Sequence, residues 1–132
     1  MLTSDDVTTI MSAARAEAQA LGGSPISIAI VDDAGYLLRF ERFDDAGPTT
    51  AEVAYGKAKA AALTRKPTKE LEARVVDRPV FLHFPYPDSI LITGGLPILV
   101  GEECVGAVGV SGRASAEDEA IARVGIAALA IE

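Results

Sequence analysis

Residues 104–111, CVGAVGVS, carry no charged side chain, and neither alternating set of positions is polar. In an extended chain Val105, Ala107 and Gly109 point to one side and Gly106, Val108 and Val110 to the other. A strand with two apolar faces belongs inside a sheet that is covered above and below. Its glycines add a second constraint, because positions without a β-carbon let another backbone approach closely. The rest of the chain must supply flanking strands and helices for both faces.

The flanking sequence has the patterns for this. Val7, Ile10, Met11, Ala14, Ala18 and Leu21 recur at three- and four-residue steps, one face of an amphipathic helix. Thr3 or Ser4 can cap it, Asp5 and Asp6 suit its positive end, and Gly22-Gly23 ends it. Residues 26–32 set Ile26, Ile28 and Ile30 against Ser27, Ala29 and Val31, a strand whose two faces both look covered. The turn Asp33-Ala34-Gly35 returns the chain as a second strand over 36–41. Thr49 and Glu52 have capping-box spacing for an alanine-rich helix to about Thr64, which Pro67 breaks. Thr68 can cap a short helix through Val75. Residues 77–88 set Pro79, Pro85 and Pro87 among Phe81, His83, Phe84 and Tyr86, an irregular segment with a short helical turn near Pro79.

Residues 89–93 read as a third strand, Gly94-Gly95-Leu96-Pro97 as an interruption, and 98–101 as a fourth strand. Glu102-Glu103 then turns the chain into the apolar strand, the fifth. Ser115 is placed to cap a last helix with Glu117, Asp118 and Glu119 in its first turn. Ile121, Val124, Ala128 and Ile131 mark its buried stripe, and Gly125 implies close packing on the sheet. The order predicts an α+β fold, a mainly antiparallel sheet covered by helices, as a single domain over residues 1–132.

Composition narrows the function. Twelve Lys and Arg against nineteen Asp and Glu give a net charge of −7, which argues against nucleic acid and against an anionic membrane surface. No apolar run approaches the roughly 20 residues of a membrane span. The acidic start MLTSDDVTTIM lacks the basic region of a signal peptide, so the cytoplasm is the expected location. The lone Cys104 sits at a strand start, where packing is its commoner role, and rules out an internal disulfide or an all-cysteine metal site. No metal site is expected.

Several residues invite a functional reading, each with a plainer one beside it. Gly94, Gly95, Leu96 and Pro97 could present backbone N–H groups to a carboxylate, or form a strained bend between strands. Arg42 and Lys57 stand out in an acidic chain as clamps for a carboxylate, or as salt-bridge partners of Asp44, Asp45 or Glu119. His83, the only histidine, offers a haem ligand or a general base, or a structural hydrogen bond. Asp118 and Glu119 offer a general acid or base, or more simply serve the positive end of their helix. Ser111 lacks the glycine two places on that a nucleophile elbow needs, since Arg113 stands there, so it reads as a polar pocket wall or helix-entry residue.

A set of short motifs then falls in one order: Val31-Asp32-Asp33-Ala34-Gly35, Arg42-Phe43-Asp44-Asp45-Ala46, Lys57-Ala58-Lys59-Ala60-Ala61, Gly94-Gly95-Leu96-Pro97-Ile98, Gly106 to Gly112, and Asp118-Glu119. Over nearly its whole length the chain resembles the GlcG/HbpS family, which includes a haem-binding secreted regulator, a glycolate-operon protein and the C-terminal domain of a cobalamin adenosyltransferase. The resemblance implies a profilin-like fold with a five-stranded antiparallel sheet. It also implies homo-oligomers, from dimers up to octamers, which would cover a sheet with two apolar faces in so short a chain. As ligand it implies a small organic acid or a tetrapyrrole such as haem. As an alternative it implies a cofactor-independent isomerase, tautomerase or hydrolase acting on a small unsaturated or hydroxy carboxylate in a catabolic operon. Arg42 or Lys57 would then hold the substrate, and His83 or Glu119 would move the proton. Residues 74–86 depart from the family's pattern, so no tetrapyrrole-ligand role carries over to them.

Overall fold

The computed structural model describes residues 1–83 and 86–131. It is an α+β arrangement with helices on both faces of one antiparallel sheet. In chain order the elements are α1 (Ser4–Leu21), β1 (Ser27–Asp32), β2 (Leu37–Arg42), α2 (Pro48–Thr64), α3 (Thr68–Asp77), a 3₁₀ turn (Pro79–His83), β3 (Gly95–Val100), β4 (Glu103–Ser111), α4 (Ser115–Ala127) and a closing 3₁₀ turn (Ala128–Ile131). The strand order is β2-β1-β4-β3.

The apolar segment is β4, in the interior of the sheet, pairing antiparallel with β1 on one side and β3 on the other. One sheet face buries Ile26, Ile28, Ile30, Val108 and Val110 against Ile10, Ala14 and Ala18 of α1 and Ile121 and Ala122 of α4. The other buries Ala29, Val31 and Ala107 against Ala54, Ala58, Ala61 and Ala62 of α2. The small residues of β4 set the depth of that second layer. A β-carbon on Gly109 would overlap the Ala54 carbonyl, and it would lie 2.6 Å from the Ala58 nitrogen.

The sheet has four strands, not five. Residues 89–93 look like a strand because Ile90, Leu91, Ile92 and Thr93 favour extended backbone. Their N–H groups go elsewhere: Ile90 donates to the Gly56 carbonyl of α2 and Thr93 to a carboxylate oxygen of Glu72 on α3. Gly95, Leu96 and Pro97, expected as an interruption, begin β3 instead. A proline is tolerated there because β3 is an edge strand.

The helix starts bring further corrections. Thr3 caps α1 with a capping box, its hydroxyl accepting from Asp6 N while the Asp6 carboxylate accepts from Thr3 N. The Thr49–Glu52 box does not form, because α2 begins two residues earlier with Gly47 as cap and Pro48 in the first turn, where its fixed φ fits. Thr68 is the first residue of α3 rather than its cap, and its hydroxyl serves β3. Ala114, not Ser115, is the cap position of α4. Gly125 packs on α1 rather than on the sheet, its added β-carbon falling 3.1 Å from the Ala14 β-carbon. Leu21 and Val124, read as buried stripe positions, are 50% and 36% exposed at the helix margins. Phe84 and Pro85, part of the aromatic segment expected near His83, lie outside the described residues.

Candidate functional site

The expected partners Lys57 and Gly94 meet beneath β4. Lys57 lies on α2 among alanines, 2% exposed. Its Nζ donates to the Val110 carbonyl at 3.0 Å and to Asp118 Oδ2 at 3.3 Å. The other Asp118 oxygen accepts from Arg113 N at 3.1 Å, just before α4. Burial pushes the Lys57 ammonium below its ordinary value, an effect that Asp118 and, more distantly, Glu72 oppose. Burial pushes the Asp118 carboxyl up, opposed mainly by Lys57. The pair is thus engaged within the fold and joins α2, the end of β4 and the start of α4.

The glycine bend closes over this pair. Gly94 has φ of +135°, and a β-carbon there would fall 2.6 Å from Lys57 Nζ and 2.8 Å from the Val110 oxygen. Gly95 N, which a carboxylate nest would need, donates to Thr68 Oγ1 at 2.8 Å. The Gly94 carbonyl accepts from Val110 N. These backbone groups are therefore satisfied by the fold itself.

Leu96 and Pro97 continue to a different place, a cavity of about 490 Å³ between β3, the end of α2 and α4. Leu96, Pro97, Leu99, Ile126 and Ala127 give it apolar walls. Arg65, Lys66 and Arg123 also line it, with Glu70 the only carboxylate. Three of the twelve cations of an acidic chain gather at one apolar cavity. Arg65 is held in a left-handed conformation at the end of α2 and donates to the Asp33 and Ala62 carbonyls. Arg123 reaches back one helical turn to Glu119 Oε1 at 2.7 Å. Glu119 is 8% exposed, and its second oxygen is buried without a hydrogen-bond partner among the described residues.

The remaining candidates stand apart. Arg42 donates twice to the Ala46 carbonyl, through Nε and Nη2, so neither it nor Lys57 pairs with Asp44, Asp45 or Glu119. Ser111 is buried at the end of β4 opposite Ser27. His83 is exposed at the end of the 3₁₀ turn, which packs against α3. Among the described residues no group of three or more His, Cys, Asp or Glu is placed to hold a metal ion. None of the described helices is long and apolar enough to cross a membrane.

Sequence reasoning missed two things. It read Asp118 as serving the helix end or as an acid/base group and did not pair it with Lys57, although a lysine on an alanine-rich helix signals a buried carboxylate partner somewhere. It also overlooked Arg65, Lys66 and Arg123; only the i,i+4 spacing of Glu119 and Arg123 was a readable signal.

A family model described as "Haem degrading protein HbpS-like" matches residues 2–127. Protein GlcG of Escherichia coli strain K12 is 39% identical over 112 residues, covering 84% of this chain and 81% of that protein. A solved double mutant of HbpS from Streptomyces reticuli superposes with a TM-score of 0.88 at 34% identity, over 97% of this chain and 86% of that one. A solved PduOC–haem complex gives a TM-score of 0.87 at 28% identity, over 96% and 94%.

Proposed function

This chain belongs to the HbpS-like family, and from that premise we propose that it binds an organic acid with an apolar body in the cavity beside Leu96 and Pro97. The observation that carries this reading is the pairing of apolar walls with Arg65, Lys66 and Arg123 in one cavity. Its volume of about 490 Å³ is within the range of small-molecule pockets, roughly 300–1,000 Å³. A guanidinium beside apolar walls orients a carboxylate while the walls take the hydrocarbon. The haem-degrading description of the matching family and the PduOC relative solved with haem support a tetrapyrrole as one such acid.

The lining fits the edge and carboxylates of a tetrapyrrole but brings no imidazole, thiolate or thioether to an iron. Recognition here is of the carboxylate and the apolar ring. The test is a spectroscopic titration with haemin and with iron-free protoporphyrin side by side. The reading expects saturable binding of both with similar affinity. It also expects weakening by roughly tenfold or more in Arg123→Ala and in Leu99→Glu, the loss of one charge-assisted contact or of apolar area. Binding of haemin alone, abolished by His83→Ala, would replace it with an iron-ligated site elsewhere. Binding of neither, nor of an aromatic monocarboxylate, would remove it.

A second reading, a cofactor-independent proton transfer on a small unsaturated or hydroxy carboxylate, draws on the unengaged oxygen of Glu119. Arg123, which holds the other oxygen, would orient the substrate. Turnover of a hydroxy-acid panel abolished by Glu119→Gln would support it. We also propose a homo-oligomer, since Leu99 and Val100 leave the edge strand β3 apolar and exposed. Light scattering behind size exclusion checks that, with a monomer as the contrary result.

A further inference from the structure

A larger cavity lies elsewhere, about 600 Å³ at the C-terminal end of α1, and six of the twelve residues that line it are charged. Arg15, Arg42 and Arg113 line it together with Glu41, Asp44 and Asp45, so cations and carboxylates balance. Internal pairing uses part of this set. Arg15 Nε pairs with Glu41 at 3.0 Å, and Arg42 is spent on the Ala46 carbonyl through Nε and Nη2. What is left is one cation on one side and two carboxylates on the other.

The cation is Arg113. Its side chain is 5% exposed, lodged against Gly23, whose backbone at φ +111° keeps that space free of a side chain. Nε donates to the Ser24 carbonyl at 2.8 Å. Nη1 lies 3.9 Å from Glu117, an ion-pair distance beyond hydrogen-bond reach, and is buried with no acceptor among the described residues. A buried guanidinium nitrogen without an acceptor is costly, so an acceptor is the group this wall calls for. Asp44 and Asp45 make no hydrogen bond or ion pair among the described residues, and both are exposed. The Phe43 ring and Pro25 give the cavity a small apolar surface between the two.

A dianion would meet Asp44 and Asp45, and a plain amine would meet Arg113. We propose that this cavity binds a small zwitterion of the α-amino-acid type, its carboxylate on Arg113 and its ammonium towards Asp44 and Asp45. The Arg113 fork reads two oxygens in a plane, which a carboxylate presents and a point charge does not. This site is separate from the apolar cavity of the proposed function and stands without it.

The test is a titration of isotopically labelled full-length protein followed by nuclear magnetic resonance. The probes are L-alanine and L-leucine, each against its des-amino acid, propionate and 4-methylpentanoate. The expected result is saturable movement of the Gly22 and Gly23 amide signals and of the Arg113 Nε–H signal. The amino acids should bind about tenfold more tightly than their des-amino counterparts, the worth of one charge-assisted contact. In the double variant Asp44→Asn/Asp45→Asn that preference should vanish. Asparagine tolerates the left-handed backbone of Asp45, at φ +66°, so the variant keeps the loop. Arg113→Lys, with folding checked by circular dichroism, should weaken all probes by roughly tenfold. Absence of saturable shifts, equal affinity for amino and des-amino acids, or an amino-acid preference that survives the aspartate variants would each overturn the proposal.

Discussion

Lys57 and Asp118 are 3% and 2% exposed at the side chain, 3.3 Å apart, and replacing both together should cost no more than removing either one alone. At 3.3 Å the attraction is about 5 kcal/mol for an effective dielectric near 20. Taking two ions out of water cancels much of that gain, so the intact pair contributes little net stability. Removing one partner leaves the other buried and uncompensated, at about 3–5 kcal/mol. In Lys57→Met/Asp118→Leu no charge is stranded. What remains is the Val110 carbonyl and the Arg113 N–H without their partners, about 1–3 kcal/mol each at most. The double variant should therefore be no less stable than either single one. In urea, with a slope of about 2 kcal/mol/M, a loss of 4 kcal/mol moves the midpoint by roughly 2 M.

The two single variants should also respond to pH in opposite directions. In Lys57→Met the burial that raises Asp118 above its ordinary 3.8 acts without its main opponent. Between 3.8 and the raised value the native state holds more protons than the unfolded chain, so stability falls as pH rises through that window. Its deficit is smallest in acid. In Asp118→Asn the Lys57 ammonium is depressed further below 10.5, and the unfolded chain then holds more protons. Stability rises with pH, and the deficit shrinks towards 10.5. Single-variant losses that add in the double variant to within about 0.5 kcal/mol, or pH slopes of the same sign, would refute the argument.

Gly109→Ala should lose about 3 kcal/mol in urea unfolding, because its β-carbon meets the backbone of α2 at Ala54 and Ala58. Gly125→Ala should change stability by less than about 1 kcal/mol, since its 3.1 Å contact with the Ala14 β-carbon is offset by the better helix propensity of alanine. Thr68→Val keeps the shape of a fully buried side chain but strands Gly95 N–H, and the same assay should read a loss of about 1–3 kcal/mol. Arg123→Ala should weaken protoporphyrin binding in the titration and lower stability in urea unfolding by about 1–3 kcal/mol, because it leaves the Glu119 carboxylate, 11% exposed, without its partner.

What the sequence made legible follows the range of the interactions involved. The α1 helix was readable because its cap, its apolar stripe and its terminal glycine all lie within a few residues of the backbone they govern. The β4 strand was readable because two apolar faces leave one kind of place for it. Residues 89–93 misled because their intrinsic preference is extended, and only the distant Gly56 carbonyl and Glu72 carboxylate show where their N–H groups go. Thr49, Thr68 and Ser115 misled for a related reason. A hydroxyl before a helix is a general cap signal, and Pro48, Gly95 and the Asp118 carboxylate each supplied a competing local solution. Lys57 was recognisable as anomalous, but its partner lies 61 residues further on and only the topology selects it.

That partner choice reaches beyond stability. Asp118 binds Lys57 through one oxygen and the Arg113 amide through the other, so one carboxylate fixes both the depth and the rotation at which α4 starts. Arg113 stands just before the Ala114 cap of the helix and lines the charged cavity; Arg123, ten residues on and past Glu119, lines the apolar one. A helix turned about its axis would move both arginines together, because no flexible joint separates them from Asp118. The glycine bend enforces the same geometry from the other side. Any β-carbon at Gly94 would displace Lys57 from Val110, and through Asp118 would displace α4. The buried pair and the bend therefore act as the frame that positions two cavities, which explains why the most unusual polar residue in this chain is not itself in contact with either of them.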